Sequence, residues 1–240
     1  MDNNFYKYAD LIIKNYEGGY FHPDMYKRDP VKYKVMHQSG ETMFGIDRTA
    51  GGNINNTPQG KQFWALIDAQ NASSNWGYNY KPKAGSDLDK KLRKLCAEMM
   101  YDVYERYALK NLSEKAKKLV AKSPKIQAHL YYGCWNGVGY VTGFSGVKGF
   151  VPILNDAVAK GTTNITKLEE IALNSRKNHE YSFMRDRAKN MVNIWKQLPD
   201  AGSLAWLWWT LGIVTVAGLG VLAYTQDWHK TVIYKFKELK

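Results

Sequence analysis

Between Ala201 and Gln226 the chain reads AGSLAWLWWTLGIVTVAGLGVLAYTQ, without one charged residue. No other stretch limits the possible folds so strongly. A hydrocarbon core of ~30 Å is crossed by roughly 20 apolar residues in a helix. Trp206, Trp208 and Trp209 at one end, with Tyr224 and Trp228 at the other, fall where interfacial aromatic belts belong. Gly212, Gly218 and Gly220 suit a membrane helix better than a soluble one. The expectation is a single transmembrane helix over 204–226, entered through a linker at 199–203 and followed by a basic tail at 227–240. A buried apolar hairpin of the globular part is the competing reading.

Residues 1–198 have a different character. The whole chain of 240 residues is 45% apolar and 23% charged, so this part is long enough for one substantial domain. A net charge of +12 favours polyanions such as nucleic acid, anionic lipid or a cell-wall polymer, without choosing among them. A nucleic-acid role would rest on that charge alone and is not expected. Seventeen Tyr and eight Trp suit either carbohydrate stacking or a large aromatic core. Two cysteines, Cys96 and Cys134, exclude a disulfide framework and read as buried free thiols. The five His (22, 37, 129, 179 and 229) have no metal-ligand spacing, so neither metal nor cofactor is expected. MDNNFYKYAD has no basic n-region and no apolar core, which argues against a signal peptide.

The domain reads as mainly helical. Phe5, Ala9, Ile12, Ile13 and Tyr16 recur at helical spacing, and Gly18-Gly19 stops that helix with Glu17 at its last position. A carboxylate there faces the negative end of the helix dipole, where a cation would be favoured by roughly 0.3–1 kcal/mol. Such broken local rules concentrate at functional sites. Met43, Phe44 and Ile46 around Gly45 suit a short β-hairpin. Thr57-Pro58 opens a helix to about Gln70, and residues 71–86 form a loop. Leu88, Leu92, Leu95, Met99, Val103 and Tyr107 mark one long helix. Ser113 and Ser123-Pro124 cap two more, the second breaking at Cys134-Trp135-Asn136-Gly137. Phe150 to Ala159 reads as helical, Thr166-Lys167-Leu168-Glu169 as a capping box, and Tyr181 to Leu198 as the last helix.

EGGY (17–20) followed by GET-x-x-GI (40–46) resembles the N-terminal signature of peptidoglycan muramidases of glycoside hydrolase family 108. More loosely, it resembles the wider lysozyme-like superfamily. The likeness extends weakly through 97–104, the stretch YYGCWNGVG (131–139) and 176–195, and so touches most of residues 5–198. Two features depart from the family. The segment between Tyr20 and Gly40 is longer, and the C-terminal wall-binding module is replaced by the apolar run. The resemblance implies a lysozyme-like α+β domain whose first-helix glutamate faces a small β-hairpin across a sugar cleft.

On that resemblance Glu17 is the general acid, since a glycosidase acid must stay protonated near neutral pH, above its ordinary value near ~4.3. Glu41 is either the second carboxylate or a structural residue of the hairpin, and Thr42 would position water. Asp24, Asp29 and Asp47 are rival carboxylates that also suit turns. Tyr20, Gly45, Asp47, Trp135 and Asn136 are assigned to substrate, with Trp76 and Tyr78 as further sugar contacts. Each ring has core packing as its alternative. The function implied is a membrane-anchored phage N-acetylmuramidase cleaving the β-1,4 glycan of bacterial peptidoglycan during host penetration or lysis. A lytic transglycosylase acting on the same bond is the first alternative, and a non-catalytic wall-binding or structural protein of a virion membrane is the second. Expected partners are peptidoglycan, the bilayer and other virion membrane or capsid proteins. The expected location is a virion or host-cell membrane.

Overall fold

The computed structural model describes residues 3–28, 40–49 and 54–201. The expected span at 204–226, the basic tail, the end of the linker and Asp29 lie outside these residues. Among the described residues, no helix is long and apolar enough to cross a membrane.

The architecture is mainly helical, with two small hairpins. In chain order the elements are α1 (Asn3–Asn15), α2 (Pro23–Arg28), β1 (Thr42–Met43), β2 (Ile46–Asp47), α3 (Pro58–Asp68) and α4 (Ala72–Asn75). Then come α5 (Asp87–Tyr107), α6 (Glu114–Val120), α7 (Pro124–Asn136), α8 (Val138–Thr142), β3 (Gly143–Phe144) and β4 (Val147–Lys148). The chain continues through α9 (Phe150–Ala159), α10 (Ile165–Lys177) and α11 (Ser182–Trp195). The side-chain oxygens of Thr57, Ser86, Ser113 and Ser123 each accept the N–H three residues on, starting α3, α5, α6 and α7.

α7 is the hub. Ile126, Ala128, His129, Leu130, Tyr131, Tyr132, Gly133, Cys134 and Trp135 are all buried, so it is covered on every face. α1 and α5 pack on one side of it, α9, α10 and α11 on the other. Most of the aromatic load is spent here. Phe5 touches Tyr8, Tyr101, Tyr104 and Tyr131 with ring centroids 4.7–5.3 Å apart. Cys96 and Cys134 are buried and free, as expected.

The first hairpin forms where expected, with Thr42 opposite Asp47 and Met43 opposite Ile46. Its turn is Phe44-Gly45, both at positive φ (51° and 74°), as a tight two-residue connection requires. The extended segment after α1 ties this hairpin to the helix end. Phe21 and Thr42 exchange two backbone hydrogen bonds of 2.9 Å, while Tyr20 N–H donates to the Tyr80 carbonyl at 2.8 Å.

Several expectations need correction. α1 ends at Asn15, two residues before Glu17. Residues 71–86 contain the short α4. The cap of α10 is Asn164, whose Oδ1 accepts the Lys167 N–H at 2.9 Å, and no Thr166 capping box forms. Glu169 turns inward instead and accepts the Ser123 hydroxyl at 2.6 Å. The last helix is shorter than Tyr181 to Leu198. β3 and β4 make a hairpin that was not expected, with Ser145-Gly146 in its turn at φ 49° and 80°.

Candidate active site

Glu17 is held just beyond the end of α1. The N–H groups of Tyr16 and Glu17 both donate to the Ile12 carbonyl, at 2.8 and 3.1 Å, so the last turn widens as the chain leaves the helix. Lys81 Nζ then caps the helix end, donating to the carbonyls of Ile13 (3.1 Å) and Glu17 (2.7 Å). The next residues are clamped to the 79–80 segment, with Gly19 N–H donating to Asn79 Oδ1 at 2.6 Å. A Cβ at Gly19 would overlap the Tyr80 carbonyl, so the chain can pass only as glycine.

The Glu17 carboxyl group meets the first hairpin at its turn. A Cβ on Gly45 would overlap Glu17 Oε2, lying 2.8 Å from Glu17 Cδ and 2.9 Å from Trp135 Nε1. Trp135 in turn donates to the Phe44 carbonyl at 3.0 Å, locking α7 to the same turn. Burial among these groups pushes the Glu17 carboxyl up from 4.5 to about 7. Arg187 on α11 and Lys81 oppose that rise, and burial outweighs both. The result is a half-buried carboxyl group that keeps its proton close to neutral pH.

A groove of about 200 Å³ opens beside this turn. Gly45, Ile46 and Asp47 form one wall, Met100, Val103 and Tyr107 of α5 another, and Cys134, Trp135, Gly137 and Val138 close its end. Gly45, against which Glu17 rests, and Trp135, which holds the same turn, both border the groove. Among the described residues, His, Cys, Asp and Glu side chains do not gather in threes as a metal site.

The other expected site residues divide. Gly45, Asp47 and Trp135, three of the residues expected to contact substrate, line the groove. Asp47 is also committed to its own turn, where Oδ1 accepts the N–H and hydroxyl of Thr49, each at 2.7 Å. Thr42 is half-buried in β1, its backbone paired with Phe21. Asn136 Oδ1 accepts from Arg176 at 3.1 Å at the end of α7.

Tyr20 does not face substrate. Its ring is fully buried, edge-on to Trp76, and its hydroxyl donates to Glu41 Oε1 at 2.7 Å. Trp76 is buried and stacked on Tyr80, so it plugs the loop; Tyr78 stays exposed. The second oxygen of Glu41 accepts from Arg48 at 2.7 Å, and Arg48 also forks onto Asp68 with two bonds of 2.8 Å. Both Glu41 oxygens therefore hold the hairpin base in place. Asp24 lies in the first turn of α2, paired with His22.

Sequence reasoning missed Lys81, Arg187 and the groove wall of α5. Val103 and Tyr107 were legible as members of an apolar stripe, and that pattern does not separate a core face from a groove face. Lys81 carries no local signal, because its partners lie more than sixty residues away in the chain. No family model matches the chain, and no curated protein or solved structure matches it significantly.

Proposed function

We propose that this chain is a glycosidase of lysozyme-like type that cleaves the β-1,4 glycan of peptidoglycan, with Glu17 as the general acid. One observation carries the reading: a carboxyl group raised to about 7 lies just past a helix end and against Gly45, the hairpin-turn residue that borders the groove. An acid of this kind delivers its proton to the glycosidic oxygen as the C1–O bond breaks. The groove supports a glycan as ligand, with Trp135 and Tyr107 as aromatic surface and Asp47 as a polar contact. The proposed setting is a virion or host membrane, with residues 204–226 as the anchor.

The test is zymography of Glu17→Gln on purified peptidoglycan. The amide has the shape of the acid and no proton to give, so cleavage should fall by about 10²–10⁴-fold. Clearing equal to wild type would refute the assignment. Lack of cleavage by the wild-type chain would favour the non-catalytic wall-binding reading.

The occupied oxygens of Glu41 favour a second reading, lytic transglycosylation, in which the sugar's own 6-hydroxyl is the nucleophile and no second carboxylate is needed. Product ends separate the two reactions. Hydrolysis leaves reducing ends, and transglycosylation leaves anhydro ends.

A further inference from the structure

Lys81 stands in a loop without any motif, yet its ammonium group reaches α1 where Glu17 leaves it. The two carbonyls it caps, Ile13 at 3.1 Å and Glu17 at 2.7 Å, bracket the last turn. Helix ends leave such carbonyls unpartnered, and a cation there also faces the negative end of the dipole. One side chain therefore fixes the backbone of Glu17 and places a positive charge beside its carboxyl group. Resting on the general-acid reading above, we propose that Lys81 is a positioning residue: it holds Glu17 at the helix end and tunes how tightly the acid keeps its proton.

The surroundings of the pair are consistent with this role. Arg187 from α11, Tyr132 from α7 and Cys96 from α5 face Glu17, while Arg93 and Asp89 from α5 face Lys81. Burial keeps Tyr132 and Cys96 protonated, so they bring no charge at neutral pH. Among the described residues Glu17 thus answers to two cations, and Lys81 of the two also grips its backbone. Burial lowers the proton affinity of Lys81 itself, and the neighbouring Arg93 adds to this. Removing the ammonium takes away one of the charges that oppose burial, so Glu17 should hold its proton to higher pH.

The experiment is a ¹³C-carboxyl NMR titration of Glu17 in the full chain in detergent, with the resonance assigned by its loss in Glu17→Gln. Lys81→Met removes charge and cap, Lys81→Gln keeps a donor without charge, and Lys81→Arg keeps both. Lys81→Met and Lys81→Gln should raise the Glu17 midpoint by about one pH unit, tenfold in proton affinity. Lys81→Arg should restore it. The alkaline limb of sacculus cleavage should shift in parallel, with kcat affected more than KM. If Lys81→Met fails to fold, Lys81→Gln and Lys81→Arg decide. An unchanged Glu17 midpoint in a folded variant overturns the positioning role, even if wild type cleaves sacculi. A shifted midpoint in a chain that cleaves nothing overturns the glycosidase reading and leaves the Lys81–Glu17 coupling standing.

Discussion

Phe44 and Gly45 share a turn at positive φ (51° and 74°), but for different reasons. A bulky residue there is an outlier that persists only when packing over-determines it. The Phe44 ring is fully buried with the Arg93 guanidinium 5.4 Å from its centroid, and its carbonyl is held by Trp135. Gly45 has no such freedom to be replaced, because its missing Cβ is the space that Glu17 occupies. Gly45→Ala should therefore cost about 1–2 kcal/mol in backbone strain alone. Displacing the turn from Glu17 should lower kcat by about 10²-fold; denaturant unfolding and sacculus assays read the two effects separately. On the proposed general-acid reading, Glu17 trades stability for chemistry. Its folded value of about 7 exceeds the ordinary 4.5, so the folded state holds a proton that the unfolded chain releases. Its favourable contribution is complete below about pH 4.5 and is lost as pH rises through 7. At about 1.4 kcal/mol per unit, the loss by pH 8 is roughly 3 kcal/mol. Glu17→Gln should match wild type in unfolding free energy at pH 4 and exceed it at pH 8. Wild-type cleavage should decline above pH 7 as the acid ionises. Equal pH dependence of stability in both proteins would contradict the burial of this carboxyl group.

At the scale of elements, the first hairpin is anchored by a chain of polar contacts running Tyr20, Glu41, Arg48, Asp68, with Arg48 lying 5.1 Å from the centroid of Trp64. The links differ in worth. Asp68 is half exposed, and an exposed ion pair contributes roughly 0–1 kcal/mol. Glu41 is largely enclosed, and hydrogen bonds to a charged group of this kind contribute about 1.5–3 kcal/mol. Glu41→Gln should thus lower Tm clearly more than Asp68→Asn, while turnover per folded molecule changes little. A loss of turnover matching that of Glu17→Gln, without loss of stability, would return Glu41 to the chemistry. These partners explain why the role of Glu41 was open in the sequence: Tyr20 and Arg48 lie 21 and 7 residues away, and no periodicity links them. Helix starts were legible because caps are local, as at Thr57, Ser113 and Ser123. Thr166 misled for the same reason, since Asn164 is an equally good local acceptor and tertiary contacts drew Glu169 inward. The first hairpin was legible from apolar residues around Gly45. The second was not, because Gly143-Phe144-Ser145-Gly146-Val147 has too few alternating residues to show a strand period.

For the whole molecule, the site is assembled from segments far apart in the chain: Glu17 after α1, Gly45 between β1 and β2, Lys81 in a loop, Trp135 on α7 and Arg187 on α11. Two of these, Glu17 and Gly45, stand inside a local motif; the others come together only because α7 is the hub on which the remaining helices close. That closure bears on the apolar run at 201–226. Among the described residues the core is continuous from Phe5 to Leu198, and the buried positions of α11, Met184, Ala188, Met191 and Ile194, face inward. Lys125 pairs with Asp200 at its edge, an exposed contact of small worth. Among the described residues the last core residue is Leu198, which precedes the uncharged run. A chain ending at Asp200 should fold by itself, stay soluble without detergent and keep the cleavage activity of the full chain, since Glu17, Lys81 and the groove all precede the cut. Full-length protein should partition into detergent. Far-UV circular dichroism and zymography of the truncated chain decide the matter. A truncated chain that is unfolded would place the apolar run in the core of the domain and remove the membrane anchor from the account.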